Sequence, residues 1–172
     1  MDGLKPVTLS IESSYFDWLE FRRSFTEWTQ ACFKTAPSPI TYNEWTRNLG
    51  MVVDSDWKRR LDFTLYRTVE DLLNAIDDEM TILNPVHLRR LTLLKTTYKK
   101  GEKCSELLGR LVDGAKVSDL RNLTPDGLLL HLFLDKCPER EDTREIKEGA
   151  LNLLRANPSV NKSHIRTAAQ PH

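Results

Sequence analysis

Apolar residues recur along this chain at helical rather than strand spacing. Tyr15, Trp18, Phe21, Phe25, Trp28 and Cys32 follow steps of three and four, which line one face of a helix. Ser13 or Ser14 can cap its start, and Pro37 and Pro39 in the segment KTAPSP break the pattern after it. Thr41 and Glu44 fit a capping box for a second helix, which carries Tyr42, Trp45 and Leu49 and stops at Gly50. Asp54 or Ser55 starts a third with Trp57, Leu61 and Leu65. A fourth begins near Thr68 and turns Val69, Leu72, Leu73 and Ile76 inward.

The same period continues through the second half. Asn84-Pro85 reads as a cap followed by proline at the first helical position. It launches a helix through Leu88, Leu91, Leu94 and Tyr98 that stops at Gly101. The next carries Cys104, Leu107, Leu108 and Leu111 and ends at Gly114. A short segment, Lys116–Asn122, leads to Thr124-Pro125, another cap-plus-proline start. Leu128–Leu134 is apolar nearly all round, which predicts the buried centre of the second half, and Cys137-Pro138 ends it. Asp142 and Glu145 fit a capping box for a last helix with Ile146, Ala150, Leu153 and Leu154. After Asn157 the period is lost, and the remainder reads as a mobile tail. With no alternating strand pattern of useful length, the expected class is all-α, about nine short helices in two groups.

Length and charge sharpen this. A chain of 172 residues makes one ordinary domain or two small ones. Lys and Arg (25) balance Asp and Glu (25), which argues against a bulk polyanion binder. The balance hides an asymmetry. Residues 1–82 hold 9 basic and 14 acidic side chains, a net of −5, and residues 83–172 hold 16 and 11, a net of +5. Such a split suits two modules, or copies that dock head to tail. No apolar run approaches the roughly 18 residues that span a bilayer, and the N-terminus lacks the pattern of a secretory signal. These features predict an intracellular protein without a membrane partner.

The chain offers little for catalysis or cofactors. None of its seven glycines stands in GxGxxG or GxxxxGK spacing, and GxSxG and HExxH are absent. Cys32, Cys104 and Cys137 make neither a disulfide framework nor a CxxC half-site. His87, His131, His164 and His172 stand alone. His131 and Cys137, six apart, fall on different faces of a helix, so His131 reads as a core-edge histidine rather than a metal ligand. The acidic run Asp77-Asp78-Glu79 reads as a solvated helix end. The clusters Lys58-Arg59-Arg60, Arg89-Arg90 and Lys99-Lys100 are short and lack interleaved aromatics, which makes nucleic acid the lesser reading. The tryptophans read as core. The expectation is a protein that is not an enzyme, with no cofactor, metal or small-molecule substrate.

The informative stretch is Tyr98–Arg110, YKKGEKCSELLGR. A tight turn at Gly101 leads into a helix whose first turn leaves backbone donors unpaired. Glu102 is placed to accept from such donors and to meet Arg110 two turns later. This stretch resembles the major homology region of retroelement capsid proteins, in which Gln, Glu and Arg are separated by three and seven residues. Glu102 and Arg110 keep that spacing and Gly101 precedes the Glu, as in gypsy-type LTR retrotransposons. Leu107 occupies a usually aromatic position, and Tyr98 stands where the family has Gln. The aromatic helix Phe16–Trp28 is similar to the first capsid helix of metazoan Gag proteins. LTPDGLLLHLFLDKC is similar to the apolar helix that follows the motif in those proteins and in the domesticated Arc capsid.

The resemblance spans about residues 14–157. It implies two small helical domains like the retroviral capsid N-terminal and C-terminal domains, at about 11–80 and 81–157, with a tail at 158–172. It also implies a structural Gag capsid protein whose main partner is itself. The shell would enclose the element's RNA in cytoplasmic virus-like particles, through an RNA-binding segment outside this chain. Rings would form through the first domain and dimer contacts through the second. The alternatives are a domesticated Gag-derived carrier and a peptide-binding adaptor that forms no shell.

Overall fold

A computed structural model of the chain describes residues 4–156. The expected tail at 158–172, with His164 and His172, lies outside the described residues. The all-α class holds. Among the described residues there are eight α-helices and three 3-10 turns, and the only β feature is an isolated parallel bridge between Leu9 and Val53. The chain divides into two compact units between Asn84 and Pro85.

In the first unit, α1 (Tyr15–Cys32) starts at Ser14, whose Oγ accepts from the Asp17 amide at 3.1 Å while its own amide donates to Asp17 Oδ2 at 3.0 Å. The buried face runs Tyr15, Trp18, Phe21, Phe25 and then Thr29, not Trp28 and Cys32. Steps of three drift around a helix of 3.6 residues per turn, so the buried line must take a step of four after Phe25. Thr29 accepts from Asn48 Nδ2 at 3.2 Å, a buried polar tie to α2 (Tyr42–Val52). The Thr41–Glu44 box forms at the start of α2. The helix does not stop at Gly50, because burial of Leu49 and Val52 carries it two residues further, to Val52.

Asp54 caps α3 (Ser55–Arg60), which buries Trp57 but ends before Leu61 and Leu65. The expected third stripe therefore fails. Asp62 Oδ1 accepts from the amide and hydroxyl of Thr64 and starts a 3-10 turn over Phe63–Leu65, leaving Leu65 exposed. Thr68 caps α4 (Val69–Leu83), whose Leu72, Leu73, Ile76 and Met80 are buried. Helices α1, α2 and α4 pack on one another. The segment before α1 belongs to this core too. Leu9 is fully buried, its amide donating to the Val52 carbonyl at 2.8 Å and its carbonyl accepting from Asp54 at 3.0 Å.

The acidic run at 77–79 is not simply solvated. Tyr15 Oη and Trp18 Nε1 each donate to Asp77 Oδ1 at 2.8 Å, tying α4 to α1. Glu79 accepts from Arg60 Nε at 2.7 Å, and Asp78 alone of the three is exposed.

The second unit holds α5 (Val86–Leu94), α6 (Cys104–Val117), α7 (Pro125–Lys136) and α8 (Arg144–Ala156). Pro85, not Asn84, occupies the cap position of α5, and the helix ends at Leu94, so Tyr98 lies beyond it. The side chains it buries are His87 and Arg90, while Leu88 and Leu91 are half-buried. Helix α6 runs past Gly114, its one buried residue, to Val117. Thr124 caps α7 as expected, accepting from Gly127 at 3.0 Å. The α7 helix is not buried all round: Leu130, His131 and Leu134 face inward, and Leu128, Leu129 and Leu132 face solvent. It packs on α5 and α8, two neighbours that cover less than its full circumference. Thr143, rather than an Asp142–Glu145 box, builds the entry to α8: its Oγ1 accepts from Arg140 at 3.2 Å and donates to the Pro138 carbonyl at 2.7 Å. Leu130, Leu134, Ala150 and Leu154 form a small core, flanked by Leu91, Phe133, Leu151 and Leu153.

Candidate functional site

The residues 97–110 fold into a closed clasp. Lys99 to Glu102 is a reverse turn in which the Glu102 amide donates to the Lys99 carbonyl at 3.0 Å. Gly101, third in the turn, has φ +81°, a conformation that costs glycine little and other residues more. The turn presents the Glu102 carboxylate to α6. Arg110 Nε donates to Glu102 Oε1 at 2.6 Å and Nη2 to Oε2 at 2.8 Å, a two-pronged charged pair. Arg110 Nη2 also donates to the Thr97 carbonyl at 2.8 Å, and Glu102 Oε2 accepts from the Lys99 amide at 2.9 Å. The Glu102 side chain is 7% exposed and that of Arg110 32%.

Thus Glu102 and Arg110 meet as their spacing suggests, but the amide Glu102 takes is that of Lys99, upstream, rather than one in the first turn of α6. At the helix start it is Glu106 that reaches back to the Lys103 amide, at 2.8 Å. The Arg110 guanidinium, and after it the Lys99 amide, hold the Glu102 carboxyl down at about 2. Glu102 in turn raises Arg110. Leu107 is half-buried on α6. The Tyr98 side chain is exposed, and the clasp uses the backbone on either side of it, at Thr97 and Lys99. Sequence spacing finds the two charged residues but not these backbone partners, which carry no side-chain signature.

The basic cluster Arg89-Arg90 is also structural. Arg89 Nη1 donates to the Val117 carbonyl at 2.9 Å. Arg90 Nε donates to that of Ser118 at 2.9 Å, and its Nη2 to that of Asp119 at 2.6 Å. The pair covers the carbonyl end of α6, where the helix dipole favours cations. Arg90 is 2% exposed, so it is not offered to phosphate. Asp119, with φ +47°, turns the chain back there and brings Oδ2 within 3.6 Å of Arg90 Nη2.

Beside Arg90 lie two buried imidazoles. His131 Nδ1 stands 2.6 Å from the Gly127 carbonyl, one turn back on α7. Burial pushes His131 and His87 down from the ordinary histidine value, and neighbouring positive charge adds to the effect.

In chemical terms the clasp is a satisfied ion pair that fixes a turn to a helix. Among the described residues no group of three or more His, Cys, Asp or Glu side chains could hold a metal ion, and no helix is long and apolar enough to cross a membrane. Comparison with protein-family models, with curated proteins and with solved structures finds no match.

Proposed function

We propose that this chain is the capsid part of an LTR-retrotransposon Gag protein, and that its work is self-assembly. The observation that carries the reading is the clasp. The Glu–Arg spacing of the major homology region coincides here with a two-pronged ion pair around a glycine turn, in the second helical unit of an all-α chain. Exposed apolar side chains support the same reading. Leu108 and Val112 on α6, and Leu128, Leu129 and Leu132 on α7, leave the second unit with surface that association would cover.

On this reading the first unit forms rings and the second joins them. Each contact is weak, and closure of a many-copy shell multiplies it. The net charges of −5 and +5 on the two halves suit contacts between the first unit of one copy and the second of its neighbour. RNA is enclosed within cytoplasmic particles through a segment outside this chain, and this chain binds no small-molecule substrate.

Sedimentation velocity over a concentration series tests this. The expected result is growth from monomer to many-copy species, with an onset that shifts with ionic strength because the contacts are charged. A monomer at every concentration contradicts assembly and favours a domesticated adaptor that binds a partner peptide. Assembly indifferent to salt keeps the capsid reading and removes the charge argument.

A further inference from the structure

The polar core of the second unit is unusual in its composition. Arg90 and His87 lie one turn apart on α5, and His131 comes from α7, which packs against α5. All three side chains are at most 5% exposed. Nε2 of His87 and Nε2 of His131 have no hydrogen-bond partner. With Nδ1 of His131 donating to the Gly127 carbonyl, the neutral ring carries its proton there and Nε2 is a bare lone pair. A proton added at Nε2 creates a buried cation in a place that already holds a guanidinium, with only backbone carbonyls near the ring to offset it.

We propose that His87 and His131, together with Arg90, form a pH-sensitive switch: the second unit stays closed while both imidazoles are neutral and opens when they take up protons in mildly acidic solution. The surroundings favour this. The charged and titratable groups that act on His87 are Arg90 on its own helix, His131 on α7 and Arg155 on α8, all of them cationic or able to become so. His131 faces Arg90 and His87. Asp119, just after α6, pairs with Arg90, and Asp135 of α7 pairs with Lys95, just after α5, at 3.9 Å. The Gly127 and His87 carbonyls oppose the effect on His131 without reversing it.

The sign follows from linkage. An imidazole held low in the folded state takes up a proton on opening. Its stabilising effect is complete above the unfolded value, about 6.5, and is lost as pH falls toward the folded value. The first unit contains no histidine, which makes it an internal control. This inference does not depend on the capsid reading.

Hydrogen exchange on the full chain at pH 7.5 and 5.5, corrected for the intrinsic chemical rate, tests it. Protection of α5 and α7 is expected to fall by up to about tenfold per pH unit for each imidazole, with α1 and α4 unchanged. The double variant His87→Gln, His131→Asn is expected to abolish this dependence, the asparagine amide replacing the Nδ1 donor. Equal protection of α5 and α7 at both pH values, an equal loss in α1 and α4, or an undiminished dependence in the variant overturns the proposal. If the variant does not fold, an NMR titration of the wild-type imidazoles decides instead. Both rings remaining neutral at pH 6 supports the switch, and either ring titrating near 6.5 overturns it.

Discussion

The guanidinium of Arg110 donates to both oxygens of Glu102 and to the Thr97 carbonyl, so one side chain ties the link before α6 to the body of that helix. Arg110→Ala removes all three bonds and strands a carboxylate that is almost fully covered. The melting temperature of the second unit is expected to fall by about 5 °C. Arg110→Lys recovers only part of this, since an ammonium cannot reproduce the planar fork. Thermal melts followed by circular dichroism read both, and an unchanged alanine variant means that the pair is incidental. The pH dependence has a fixed sign. Glu102 is held at about 2, below its unfolded value near 4.3, so its contribution is complete above the unfolded value and is lost as pH falls toward 2. The gap in melting temperature between wild type and Glu102→Gln is therefore expected to narrow between about pH 4.5 and 2.

Among the elements, Leu9 makes the sharpest case for a segment that periodicity overlooks. It lies in no helix, yet it is fully buried and fixed through both backbone groups to the α2–α3 junction. Leu9→Ala is expected to cost the first unit about 2–5 kcal/mol. All four tryptophans lie in that unit, so denaturant unfolding followed by tryptophan fluorescence reports it directly. A cost within 0.5 kcal/mol contradicts the segment's place in the core. Helix starts were legible in the sequence wherever a short polar side chain caps them, as at Ser14, Thr41, Asp54, Thr68 and Thr124. Helix ends and buried faces were less so, for particular reasons. Gly50 fails to stop α2 because tertiary packing outweighs propensity, and Asp62 diverts Leu65 by a local bond. Leu128, Leu129 and Leu132 are apolar without neighbours to cover them. Arg90 and Asp77 are charged yet take up structural roles, because their partners are the carbonyls of Ser118 and Asp119 just after α6 in one case and the polar tips of Tyr15 and Trp18 in the other. Periodicity sees side-chain polarity alone, and these partners come from elsewhere in the fold.

At the scale of the molecule the two units are built differently. The first has an aromatic core in which Trp18, Phe21 and Phe25 follow one another with ring centroids about 6 Å apart, and Trp45 lies 5.7 Å from Phe25. The second has a small aliphatic core, buried imidazoles, a capped helix end and the clasp. Under the proposed function, the charge of each half, the exposed leucines of α7 and the motif geometry serve association. The most direct measurement is negative-stain electron microscopy with light scattering on the purified chain, taken from dilute low-salt buffer to high concentration and high salt. Shells, tubes or discrete rings are expected; particles no larger than a dimer throughout that range would contradict self-assembly.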